Sequence, residues 1–137
     1  MSKDYFKLSI IAGIIIFIAS YGALYAGLYL MPDFFSGYIS PVFNSDDSRN
    51  LFFYMHPFVL SFALAFFWLR FRQMLNGNNW LKGIEFGLLY ALIALVPVMW
   101  ITYSAVDVSL SMVLTWLLYG TFQACIAGLV FTFLSKS

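Results

Sequence analysis

A chain of 137 residues that is 63% hydrophobic and only 9% charged cannot clothe a water-facing surface, because soluble domains carry about a quarter charged residues. A mean hydropathy of +0.89 agrees, and a formal net charge of +1 gives nucleic acid nothing to hold. The lone cysteine, Cys125, allows neither an intrachain disulfide nor a thiol pair, which excludes oxidoreductases that work through paired cysteines.

The fold class that remains is an all-α integral membrane protein, a four-helix transmembrane bundle that uses the whole of residues 1–137. Residues 1–7 are a short polar lead with Lys3 and Lys7. From Leu8 to Pro32 there is no charge over 25 residues. About 20 residues of helix cross a hydrocarbon core of about 30 Å, so this run is long enough to span with tilt. A signal peptide has a shorter apolar core and a small-residue cleavage site. Here Met31-Pro32-Asp33 follows instead, and a retained first helix over 8–32 is predicted.

The longest polar connection runs from Asp33 to Asn50. Phe34, Phe35, Tyr38 and Phe43 suit the headgroup layer, so its first part is expected to lie in the interface. Asn44 to Asn50 reads as a solvated turn. A second helix is predicted over 51–72, with His56-Pro57 in its first turn or two. Asn76-Gly77-Asn78-Asn79 is a compact turn by composition. A third helix is predicted over 80–106 and a fourth over 108–135. Asp107 sits at the bend between them, where Ser104, Ser109 and Ser111 are available as caps. The stretch Trp80–Val106 reads as the one the other spans gather around, because it holds Glu85, a Gly83/Gly87 pair and a mid-run Pro97.

Alternating helices put Lys3, Lys7, Arg70, Arg72, Lys82 and Lys136 on one side and Arg49 alone on the other. Basic residues favour the cytoplasmic side, so both termini are expected inside, with Asp33, Asp46, Asp47 and Asp107 outside. Helices one and three share only Gly13-Ile14 and Gly83-Ile84, too little to indicate an internal duplication.

Lipid tails are as apolar as leucine, so spans associate through small residues and buried polar contacts. Three stripes at spacing four offer this: Ala19, Ala23 and Gly27; Gly83 and Gly87, with Ala94 beyond; and Gly120, Ala124 and Gly128. The third and fourth helices are expected to form a tight hairpin through the last two. One stripe could alternatively serve as a homodimer seam. Tyr21, Tyr25 and Tyr29 lie on nearly the opposite face of the first helix and read either as core residues reaching the interface or as the lining of a cavity.

Three polar residues stand out. Glu85 lies in the apolar run, on the face opposite Gly83 and Gly87, and an intramembrane carboxylate is a functional candidate by default. Its structural reading is an ion pair with Lys82, Arg70 or Arg72. Gln123 falls near the middle of the fourth helix and needs a polar partner, for which Tyr90 lies at a similar depth. His56 is the only histidine, and Asp46 and Asp47 lack the spacing of a calcium loop, so no metal or cofactor site is predicted. No nucleophile elbow, phosphate loop or zinc-protease motif is present, so no catalytic residue is assigned.

The run Lys82-Gly83-Ile84-Glu85-Phe86-Gly87-Leu88-Leu89, followed by Pro97, Trp116, Gly120, Gln123 and Gly128, resembles small four-helix proteins of the bacterial inner membrane that have no established activity. The resemblance implies a multi-pass protein of the cytoplasmic membrane and carries over no catalytic residue. Two function classes follow. One is a non-enzymatic accessory or structural bundle, working in the lipid bilayer as a homo-oligomer or in a larger assembly. The alternative is a small transporter or channel, proton-linked through Glu85, with Gln123 and Tyr90 along its path.

Overall fold

Helices that are apolar all round need an apolar surrounding on every side. Among the described residues four segments of this kind are long enough to cross a bilayer: Lys3–Leu30, Ser48–Met74, Asn79–Ala105 and Leu110–Leu134. The computed structural model describes residues 2–39 and 47–135, and all regular structure among them is helical. In chain order, α1 covers Ser2–Leu30, and a 3₁₀ segment covers Pro32–Ile39. Helix α2 covers Asp47–Phe71 and closes with a 3₁₀ turn, Arg72–Met74. Helix α3 covers Asn79–Tyr90, a π-helical segment covers Ala91–Leu95, α4 covers Val96–Ala105, and α5 covers Leu110–Leu134.

The ends depart from the composition-based boundaries for local reasons. The polar lead is helical and carries Asp4 in its first turn, where a carboxylate complements the helix dipole. Residues 47–50 belong to α2 rather than to a turn, which places Pro57 well inside that helix. Proline has no N–H, so the carbonyl of Phe53, four residues back, loses its helical donor. The hydroxyl of Tyr21 reaches that carbonyl at 3.4 Å. In the third span Pro97 acts in the same way, and the turn before it widens: the Val96 N–H donates to the Ala91 carbonyl, five residues back. The 75–78 turn works through Gly77, at φ 103°, and through Asn78, whose side chain accepts from the Leu81 N–H at 2.9 Å. Ser109 caps α5 in the same manner, accepting from the Met112 N–H at 3.2 Å.

Two antiparallel pairs build the bundle, α1 with α2 and α3 with α5, and α5 touches every other span. The hub is therefore the fourth span, not Trp80–Val106: 39% of the fourth span's apolar window is buried against 17% of the third's. Close approach depends on missing side chains. A Cβ on Gly87 would stand 2.6 Å from the Cα of Cys125, and one on Gly83 would stand 2.8 Å from the Cα of Leu129. A Cβ on Gly128 would run into the carbonyl of Gly83. Ala124 is fully buried between these positions. Gly120 meets the Leu95 side chain, and Ala94 is half-buried. On α1 the packed stripe is Leu8, Ala12, Ile16 and Ser20, not Ala19, Ala23 and Gly27. Ala23 is exposed, and Gly27 meets the ring of Phe35 from the 3₁₀ segment.

The core lies in the half of the bundle that carries the chain termini. Trp68 of α2, Phe86 of α3 and Phe131 of α5 form an aromatic triad with centroids 5.3 to 6.1 Å apart. Leu8, Ala12 and Ile16 of α1 and Leu64 and Ala65 of α2 complete that core.

Candidate functional site

The buried polar side chains form a short series down the middle of the bundle. Ser61 of α2 lies with its Oγ 2.8 Å from the Ser9 carbonyl of α1 and 2.9 Å from the Phe58 carbonyl of its own helix. Ser9 donates to the Tyr5 carbonyl at 2.8 Å. Deeper in, Gln123 of α5 donates through Nε2 to the Ser20 Oγ of α1 at 2.8 Å, and both side chains are buried. Thr132 donates to the Leu129 carbonyl of its own helix at 2.8 Å. The Ser61 and Gln123 bonds tie α1 to α2 and α1 to α5, where no glycine stripe on both partners does the work, while the Ser9 and Thr132 hydroxyls bond within their own helices.

The three sequence candidates are not brought together as a path. Gln123 turns to Ser20 rather than to Tyr90. Tyr90 is half-buried and packs on the aromatic core. Glu85 points away from the Gly83/Gly87 face and is exposed on the outer surface of α3, and among the described residues no lysine or arginine forms an ion pair with it. The ion pair with Lys82, Arg70 or Arg72 is therefore absent. The helix phase explains the exposure of Glu85, because a residue two positions from each of two packed glycines must lie on the far side of the helix; Lys82, one turn back, faces the cleft described below instead. Arg70 is engaged elsewhere, its guanidinium 5.0 Å from the centroid of the Phe66 ring. His56 is exposed on α2, and Asp46 lies outside the described residues. Among the described residues, no group of three or more metal-ligating side chains converges.

The polar surface that tertiary structure does assemble is at the end of the bundle bearing the termini. A cleft of about 230 Å³ opens between the end of α2, the start of α3 and the end of α5, lined by Arg72, Gln73, Asn79, Lys82, Thr132 and Ser135 over the edge of Trp68. Trp68 donates through Nε1 to the Ser135 Oγ at 2.9 Å, which leaves the serine hydroxyl proton directed elsewhere. A second cleft of about 290 Å³ shares Arg72 and Ser135 and adds Asp4 and Lys7 of α1. Sequence reasoning placed these cations on one side of the molecule but not in one cleft, because Arg72, Lys82 and Ser135 come from three helices. The serines at 9, 20 and 61 were also missed as a set. Their signal was a small hydroxyl residue inside each apolar run.

No family model matches the chain, and no curated protein or solved structure matches it either.

Proposed function

We propose that this chain is a four-span protein of the bacterial inner membrane with both termini cytoplasmic, and that it works as a non-enzymatic bundle, assembling with further copies or with subunits of a larger complex. The observation that carries the non-enzymatic reading is the use made of the interior. Among the described residues, the five buried polar side chains, Ser9, Ser20, Ser61, Gln123 and Thr132, each have a hydrogen-bond partner within the bundle. A site for a polar substrate needs groups left over for it; here Ser61 and the Gln123–Ser20 pair are engaged between helices, and Ser9 and Thr132 with the backbone of their own helices.

Membrane placement draws support from the surface. Trp80 and Trp100 are exposed at opposite ends of the third span. They are separated by twenty residues, or about 30 Å of helix, which matches the spacing of two interfacial belts. Between them the exposed residues of the span are apolar, mostly leucine, isoleucine and valine, except for Glu85 near the Trp80 end. The cluster of Lys3, Lys7, Arg70, Arg72 and Lys82 at the end of the bundle bearing the termini supports the orientation.

Orientation is tested by single cysteines in a Cys125→Ala background. Ser45→Cys is expected to react with an impermeant reagent from outside the cell, and Asn78→Cys only after the membrane is opened. Labelling of position 78 from outside overturns the threading. The assembly reading is tested by mild-detergent purification from native membranes after crosslinking. Recovery of a defined oligomer or a stoichiometric partner supports it, and a monomer with no partner counts against it. The carrier alternative predicts proton flux in liposomes that Glu85→Gln abolishes. An exposed Glu85 is expected to show no such flux and no change in thermal stability on substitution.

A further inference from the structure

We propose that the cleft at Arg72 and Lys82 is a binding site for a phosphate-bearing anion, supplied by an anionic phospholipid headgroup. The proposal rests on the membrane reading for the source of the phosphate, and on the cleft itself for the chemistry. The lining explains the class of ligand. Arg72 and Lys82 are both half-buried, and among the described residues neither is held in an ion pair. Asn79 and Gln73 add amide donors, and Ser135 adds a hydroxyl whose oxygen is already occupied by the Trp68 N–H. Among the described residues no carboxylate lines this cleft; Asp4 lines only its neighbour. A cavity of donors and cations without an internal acid is complementary to an oxyanion with several acceptor oxygens. Arginine adds a planar fork suited to phosphate, and lysine a mobile point charge.

Two features of the backbone bear on the same point. Asn79 is the first residue of α3, so the positive end of that helix dipole lies beside the cleft. Helices α2 and α5 end there as well, and their C-termini favour cations on their own account. That accounts for basic residues at this end; it does not account for their sharing one cleft with no carboxylate among its described residues. The level in the membrane favours a lipid as the source. Trp80, one residue beyond Asn79, is exposed and packs edge-on to Phe133 at 5.3 Å, the position of an aromatic belt at the headgroup boundary. Basic pockets between helix ends on the cytoplasmic side are suited to anionic headgroups.

The test uses the full chain in mild detergent, with native mass spectrometry reading the lipid retained when phosphatidylglycerol or phosphatidylcholine is supplied. Wild type is expected to retain phosphatidylglycerol preferentially. Arg72→Gln and Lys82→Gln are each expected to lower that retention about fivefold, the effect of one cation beside an anionic headgroup, and to leave phosphatidylcholine unaffected. Arg72→Lys is expected to recover most of it. Arg70→Gln is the control: it removes the same charge from a side chain that lies over Phe66 and outside the cleft. Equal losses for Arg70→Gln and Arg72→Gln, or equal retention of the two lipids by wild type, overturn the site and leave only diffuse interfacial charge.

Added inorganic phosphate separates the two sources. Displacement of the lipid in proportion to the phosphate supports the anion site and assigns its phosphate to solution, and resistance to displacement supports the lipid. Far-ultraviolet circular dichroism confirms that each variant keeps its helix content. Carbonate extraction of the parent membranes reads insertion separately. A chain that stays inserted but shows no lipid preference overturns the site alone, whereas a chain released by carbonate overturns the membrane reading.

Discussion

The two halves of this bundle are built from the same kinds of residue and pack in opposite ways. In the half bearing the chain termini, Ile16, Ala65, Ala124, Ala127 and Phe131 are completely buried. In the other half, no described residue is buried beyond Ser20 on α1, before Pro57 on α2, or anywhere on α4, and only Met112 and Val113 are buried at the start of α5. Tyr29 is 86% exposed and Trp100 77%. Hydrophobicity cannot be the difference, since both halves are apolar. The difference is the supply of small and hydroxyl-bearing residues at facing positions. Gly13, Gly83, Gly87 and Gly128 all lie against a neighbour in the packed half. In the open half Gly22 has nothing within 4 Å of where its Cβ would be, and Gly27 and Gly120 meet only the side chains of Phe35 and Leu95. For helices in lipid, where apolar contact alone gives little reason to leave the acyl chains, such a supply would decide where they meet.

Substitutions that add volume on the two sides of this divide break the comparison most directly. Gly87→Leu drives a side chain into the backbone of Cys125, which cannot rotate away, and is expected to cost about 3 kcal/mol or more. Unfolding followed by denaturing detergent at fixed lipid content measures it, and a stability close to wild type would mean that α3 and α5 do not approach as described. Phe131→Ala opens a cavity among Trp68, Phe86 and Ala127 and is expected to cost about 3 kcal/mol. Trp100→Ala is its counterpart in the open half and is expected to leave the same transition nearly unmoved.

Gln123→Leu sharpens the boundary between the halves, because Gln123 and Ser20 form the last fully buried contact before the bundle opens. Inter-helix hydrogen bonds in membranes are worth about 0.6 kcal/mol on average and at most about 1.7. The expected loss is about 1 kcal/mol, and a double-mutant cycle with Ser20→Ala should recover it as a coupling. Additive effects in that cycle would show that the bond contributes nothing to assembly. The smallest effect is expected for Gly22→Leu, under about 0.5 kcal/mol. A large loss there in the purified monomer would contradict the open half, and a loss confined to the oligomer would locate a protein neighbour on it.

Much of this arrangement was legible in single residues. Gly83 and Gly87 at spacing four, Gly120, Ala124 and Gly128 at spacing four, and a short bend at Asp107 are enough to suggest which faces of the third and fourth spans meet. Phase alone put Glu85 on the other side of α3. The partner of Gln123 was not legible. Depth counting offered Tyr90, but a residue count gives only a level in the membrane and not an angle around the bundle, and α1 lies on that side of α5. For the same reason Trp80–Val106 looked central while being the least buried span. An unusual composition does not say how many neighbours a helix has.

What the chain determines by itself is the number of long apolar helices, the side on which its cations collect, and the turns at Gly77 and Ser109, because each depends on contiguous residues and on the rules of one helix at a time. Tertiary structure alone decided that α5 is the hub, that Ser20 holds Gln123, and that Arg72, Lys82 and Ser135 share one cleft. These facts depend on rotation of helices about their own axes and on their order around the bundle. Those two quantities are set by the sum of many close contacts between distant segments, and no one segment contains them.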